Sequence, residues 1–250
     1  MLTPKENEEK RKRNRHPLFL VVKVSKKSAY LGPVMLEICA FHLEDCFTAV
    51  HAGAQRLEVC THYTEGGLTP PTEWIFALKH SVHVPLVAMV RPRGGDFHYS
   101  SEEWTTMKRQ AEGLRQAGAH ALVFGGLNQH SSLDIEANKA LMKTVGLPAV
   151  LHRAFDEIPD PLQGVRDAIQ AGFCRILTSW GQKDPETFKK IQKMAGMQIE
   201  ILPGGGIRST NVARYVDMGC TQIHSSAITG PKQRVDQIEI QALLAQMSDK

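Results

Sequence analysis

The stretch Leu86-Val87-Ala88-Met89-Val90-Arg91-Pro92-Arg93-Gly94-Gly95-Asp96-Phe97 decides how the chain folds. Its first five residues are apolar without a break, which is the pattern of a buried strand. The run then stops at two arginines, two glycines and an aspartate. Strands buried on both faces belong to parallel α/β folds, where ligands bind beyond the carboxyl ends of the strands. The loop 91–97 is therefore read as a place that presents chemistry. The question becomes which other strand ends meet it.

Outward from this run the same rhythm repeats. Apolar runs occur at 34–39, 56–60, 85–91, 121–125, 149–152, 175–178, 199–203 and 222–225. Helical patterns lie between them near 43–52, 72–83, 101–117, 132–144, 160–171, 185–195 and 209–218, and an eighth near 235–247 closes the chain. Four helices end in one small phrase: Ala52-Gly53-Ala54, Ala117-Gly118-Ala119, Ala171-Gly172-Phe173 and Met218-Gly219-Cys220. Glycine just past a helix takes the left-handed conformation without a Cβ clash. Ser100 ahead of Glu103, Asp160-Pro161 and Asp184-Pro185 mark helix starts. Eight β-then-α units predict an α/β fold, a single-domain (β/α)8 TIM barrel over 34–250. The rival, an open doubly wound sheet, usually carries a GxGxxG turn after an early strand. None ends the first two strands here, and no nucleotide cofactor is expected.

The 250 residues carry a net charge of +4, and that figure hides an asymmetry. Residues 1–33 hold nine Lys/Arg against three Glu, or +6, and the remainder holds 21 against 23, or −2. The segment 1–33 reads as a basic, disordered N-terminal extension. The barrel is not basic, so no nucleic-acid partner is expected. No apolar run approaches the ~20 residues of a membrane span, so no membrane partner is expected either. Five cysteines without disulfide-like spacing fit reduced thiols in a cytosol.

The strand ends carry the chemistry. Residues two apart on a strand share a face. Leu36-Glu37-Ile38-Cys39 and Leu57-Glu58-Val59-Cys60 repeat one unit, so two carboxylates and two thiols are set toward one mouth. Arg91 and Arg93 arrive from the third strand, placed to neutralise the carboxylates. The fifth strand ends in His152-Arg153-Ala154-Phe155-Asp156. The seventh ends in Gly204-Gly205-Gly206 ahead of Arg208-Ser209-Thr210, which opens a helix, and the eighth in His224-Ser225-Ser226. A glycine run beside small hydroxyls fits the phosphate cradle of this fold. The plainer alternatives are an ion network of Glu37, Glu58, Arg91 and Arg93 filling the barrel, a tight turn at 204–206, and cysteines acting as small apolar residues. Cys46, Cys174 and Cys220 read as core packing, and His42, His62, His98 and His130 as surface or loop residues.

Taken together, the phrases at 36–39, 56–60, 65–70 (EGGLTP), 90–97 (VRPRGGDF), 122–125 (LVFG), 152–156 (HRAFD), 176–179 (ILTS) and 202–207 (LPGGGI) resemble the CutC family in order and spacing, from about Val34 to about Ala227. The resemblance implies a cytoplasmic (β/α)8 barrel, a homo-oligomer (dimer or tetramer), and a link to copper homeostasis. It also implies Cys39 and Cys60 as Cu(I) ligands. The sequence departs from the family at Phe41, where an acidic residue is usual, and at Trp180, where the family more often moves straight to glycine.

Two functions remain open at this point. One is Cu(I) binding through Cys39 and Cys60, since soft thiolates select Cu(I). The other is a TIM-barrel isomerase, lyase or hydrolase acting on a small anionic or phosphorylated metabolite. In it Glu37, Glu58, His152 and Asp156 would serve as acid–base groups and Arg91 would stabilise charge. Arg93, Gly204, Gly205, Gly206 and Ser225 would hold the anion. No lysine sits on a strand end, which argues against a Schiff base. A scaffold acting through an oligomer interface is the third, weaker possibility.

Overall fold

The structure, a computed structural model, describes residues 34–248. The expectations for 1–33 lie outside the described residues. Eight parallel strands run β1 (Met35–Ala40), β2 (Arg56–Val59), β3 (Leu86–Met89), β4 (Ala121–Phe124), β5 (Ala149–Leu151), β6 (Arg175–Thr178), β7 (Glu200–Pro203) and β8 (Gln222–Ser225). Their order around the sheet is 7-6-5-4-3-2-1-8. Strand β8 pairs with β1, and β7 packs beside β8, which brings the sheet nearly to closure. Apart from the last two turns, the helices fall where the sequence pattern sets them: α1 (Leu43–His51), α2 (Thr72–Ser81), α3 (Ser101–Ala117), α4 (Ile135–Val145), α5 (Pro161–Ala171), α7 (Pro185–Ala195) and α9 (Gln237–Ser248). One short helix, α6 (Trp180–Lys183), was not foreseen.

Local chemistry explains the boundaries. Ser100 and Glu103 form a reciprocal capping box at α3, and the carboxylates of Asp160 and Asp184 accept the first free amides of α5 and α7. Gly118 and Gly172 follow their helices at φ +105° and +97°, where a Cβ would be strained. The expected helix at 209–218 contracts to α8 (Ala213–Asp217), with turns over 209–212. The glycine turn at 204–206 therefore does not lead straight into a helix, and the expected helix start beside an anion cradle is corrected.

The strands alternate strictly. Leu36, Ile38, Leu57, Val59, Leu122, Phe124, Ile176 and Ile223 face the helices and form one apolar layer with them. Each such side chain contributes about 1.5–3 kcal/mol by leaving water. Cys39, Cys60, Val87, Met89, Val123, Val150, Leu177 and Leu202 face the barrel interior as a second, smaller cluster. Cys46 and Cys220 are buried, as expected. Cys174 is exposed: it precedes β6 at the opposite end of the barrel, with its thiol on the Ala149 carbonyl at 3.1 Å.

Candidate functional site

Register decides which interior residues meet. Sequence repetition sets the two Leu-Glu-x-Cys units side by side, but the barrel stagger offsets them by two residues. Cys39 stands opposite Glu58, and Glu37 stands opposite Arg56 on one side and His224 on the other. The interior polar residues thus form tiers.

The lower tier is an ion cluster. Glu37 accepts from Arg56 Nε and lies 2.7 Å from His224 Nδ1, and Arg56 continues to Gln222 at 2.6 Å. All three charged groups are buried. Burial alone would push the Glu37 carboxyl up, but Arg56 and then His224 outweigh it and hold it at about 2. Burial would likewise lower His224, and the carboxylates of Glu58 and Glu37 reverse this and raise it. The neutralising cations expected for Glu37 and Glu58 were Arg91 and Arg93. Arg56 and His224 take that role instead, because they lie within the strands at the same level.

The upper tier is the thiol pair. Cys39 Sγ and Cys60 Sγ are 3.7 Å apart, and Glu58 Oε1 is 3.2 Å from the first and 3.5 Å from the second. His224 Nδ1 is 4.0 Å from the other Glu58 oxygen. Burial raises the Glu58 carboxyl despite the pull of His224. Burial also drives Cys60 to about 11 and Cys39 well above its ordinary value, with the Glu58 charge adding to both. The loop glycine Gly67 closes over Cys60, where a Cβ would lie 3.3 Å from the sulfur.

Above these tiers opens a cavity of about 580 Å³, lined by Cys39, Phe41, Glu58, Met89 and His224 on one side and by Arg91, Phe97, His152, Asp156 and Gly205 on the other. Of the candidate catalytic residues, Glu58, Arg91, His152 and Asp156 therefore share one cavity, and Glu37 lies outside its lining. Phe41, at the departure from the family pattern, packs edge-on to Tyr63 with ring centres 5.0 Å apart. It gives the cavity an aromatic wall at this point.

Asp156 is saturated. Its carboxylate accepts from Thr178 Oγ1 at 2.6 Å, Ser179 Oγ at 2.7 Å, Ser179 N–H at 3.1 Å and Arg153 Nε at 3.0 Å. This ties the end of β5 to the end of β6. Trp180 N–H donates to Thr178 Oγ1 at the start of α6, and Lys183 at the end of that helix lines the cavity. A lysine therefore reaches the mouth from a short helix, although none sits on a strand end.

The anticipated anion residues separate. Gly205 and Gly206 line the cavity. Gly204 packs behind it, where a Cβ would sit 2.6 Å from Leu177 Cδ1. Ser225 is buried with its hydroxyl on the Ile207 carbonyl at 2.7 Å. Arg93 holds its own loop, bound to Glu103 at 2.5 Å and Asp96 at 3.0 Å, and does not line the cavity. Arg208 does line it, 3.4 Å from both the Ser225 and Ser226 hydroxyls. Sequence reading gave no role to Arg56, His224, Lys183 or Arg208, although it noted His224 and Arg208 at strand ends. Strand alternation could have found Arg56, which shares a face with Glu58, and His224, which sits at the end of β8.

Comparison with known proteins identifies the family and the fold. The CutC family model matches residues 34–229. A CutC family protein of Treponema denticola is 40% identical over 203 residues, covering 78% of this chain and 82% of its own. The copper homeostasis protein cutC homolog of Homo sapiens is 35% identical over 209 residues, covering 81% of this chain and 77% of its own. The crystal structure of CutC from Streptococcus agalactiae superposes with a TM-score of 0.74 at 31% identity, over 78% of this chain and 100% of that one. The chain belongs to the CutC family, the family of copper homeostasis proteins.

Proposed function

We propose that the protein binds Cu(I) through the thiolates of Cys39 and Cys60, as part of copper homeostasis. The observation that carries this reading is the thiol pair itself: two buried sulfurs 3.7 Å apart, sharing the Glu58 carboxylate. Ligand atoms of Cys39, Glu58 and Cys60 all lie within 4.8 Å of one another, which fits one small ion. Soft sulfur donors favour Cu(I) over harder cations. Met89 lines the same cavity and offers a thioether of the same kind. Both thiols are held protonated by burial, so the metal must displace protons to enter. Cytoplasmic location and homo-oligomerisation belong to the same proposal. Free thiols among the described residues and the family relationship support the first, and the family relationship supports the second. No described helix is long and apolar enough to cross a membrane.

The test is Cu(I) titration of the reduced protein against a competing chelator, alongside Cys39→Ser, Cys60→Ser and the double variant. One equivalent bound by the parent and lost in the double variant supports the reading. Equal binding by parent and double variant sinks it.

A further inference from the structure

A single ion needs only the thiol side of the cavity, yet the cavity measures about 580 Å³. That is the size of a small-molecule site. On the side away from the sulfurs two buried donor atoms, His152 Nε2 and Arg91 Nε, have no hydrogen-bond partner. His152 is 3% exposed. Its Nδ1 accepts the Ala154 amide at 3.2 Å, so the ring proton sits on Nε2, and Nε2 is buried with no hydrogen-bond partner. Burial and the neighbouring Arg91 charge lower the imidazole to about 3, so it stays a neutral donor. Gly125 makes room for it: a Cβ there would lie 3.2 Å from Nδ1.

Arg91 is 6% exposed, and its terminal nitrogens meet only backbone carbonyls: Glu65 at 2.5 Å, Gly95 at 2.7 Å and Gly67 at 3.4 Å. It forms no ion pair among the described residues. A buried guanidinium without a counter-charge is costly unless something supplies one. Arg91 and His152 pack on the same ring, Phe97, at 4.8 and 4.7 Å from its centre. Lys183 and Arg208, from the sixth and seventh strand ends, line the same cavity and likewise pair with no described carboxylate.

We propose that this side of the cavity is a binding site for a small organic oxyanion, a phosphorylated or carboxylated metabolite, whose anionic group sits against Arg91 and the His152 Nε2–H. The planar guanidinium presents paired donors to such a group, and the imidazole N–H supplies a neutral one. Phe97 sets the two at a fixed spacing. Lys183 and Arg208 draw the ligand in from the rim. The site does not depend on copper, and of the two thiols Cys39 lines the cavity that the ligand would occupy.

The test uses the full reduced chain and three probes: inorganic phosphate, glycerol 3-phosphate and malonate. Each is titrated calorimetrically into the parent, Arg91→Lys and His152→Gln. Cu(I) binding is measured on all three proteins, so that a misfolded variant or a failed copper site is seen separately. We expect saturable binding of at least one probe, weakened tenfold or more in each variant. A shift of the His152 Nε2–H signal on titration of the 15N-labelled parent should accompany it. Stronger binding of glycerol 3-phosphate than of malonate would assign a phosphoryl group, and the reverse a carboxylate. No saturation by any probe, or binding that survives both substitutions undiminished, overturns the proposal.

Discussion

Replacing Glu37 by Gln tests whether the lower tier is held by charge. Glu37 is the shared acceptor of two buried cations, Arg56 and His224. The amide keeps the volume, retains one acceptor and turns an NH2 toward one of the two donors. Holding the carboxyl at about 2 rather than 4.5 means the fold favours its ionised form. At about 1.4 kcal/mol per tenfold this amounts to roughly 3 kcal/mol. Removing one member of a buried pair costs about 3–5 kcal/mol by a separate route. The expected loss is therefore about 3–4 kcal/mol, or a fall of roughly 6–16 °C in unfolding temperature for a domain of this size. Because the folded value lies below the unfolded one, the parent's advantage is full above about pH 4.5 and fades as pH falls toward 2. His224 acts with the opposite sign. Its raised value stabilises most below its ordinary 6.5, and that contribution is lost as pH rises through the folded value. Urea unfolding of parent and variant, followed by far-UV circular dichroism at pH 3.5, 6 and 8.5, measures the gap. A difference under about 1 kcal/mol at pH 6, or one that widens on acidification, would refute the assignment.

Copper affinity should climb with pH. Both thiols are protonated near neutrality, with Cys60 at about 11 and Cys39 higher, so binding through two thiolates releases two protons. The association constant should rise by up to about 100-fold per pH unit. A flat profile would exclude thiolate ligation. Asp156→Asn should cost about 2–4 kcal/mol in denaturant unfolding, since the amide cannot accept all four donors that the carboxylate now takes and bonds to a charged group are the stronger kind. An unchanged midpoint would show that the tie between β5 and β6 does not stabilise the mouth.

How much of this was legible beforehand varied with range. The strand at 86–90, its seven counterparts and the glycine stops depend on local pattern, and they appear in the structure almost where the spacing puts them. The same holds for Cys39, Cys60 and Glu58, because strand parity alone points them into the barrel. Failures began where an answer needed a partner from elsewhere. Arg91 and Arg93 were assigned to the carboxylates because their charge and strand end fitted. Their backbone continues past β3, and their guanidinium groups fold back on loop carbonyls and on Glu103.

The amino-acid sequence by itself determined the elements, their order, the closed barrel class and the family, because each rests on periodicity, punctuation and short phrases that survive without three-dimensional context. Only the tertiary structure decided which residues meet. The two-residue stagger between β1 and β2 sets Cys39 against Glu58 and Glu37 against Arg56, and β8 brings in His224 from 187 residues away. The same packing left Arg91 Nε and His152 Nε2 buried without a hydrogen-bond partner beside one cavity. Register and burial are properties of neighbours that the chain supplies only after it has closed.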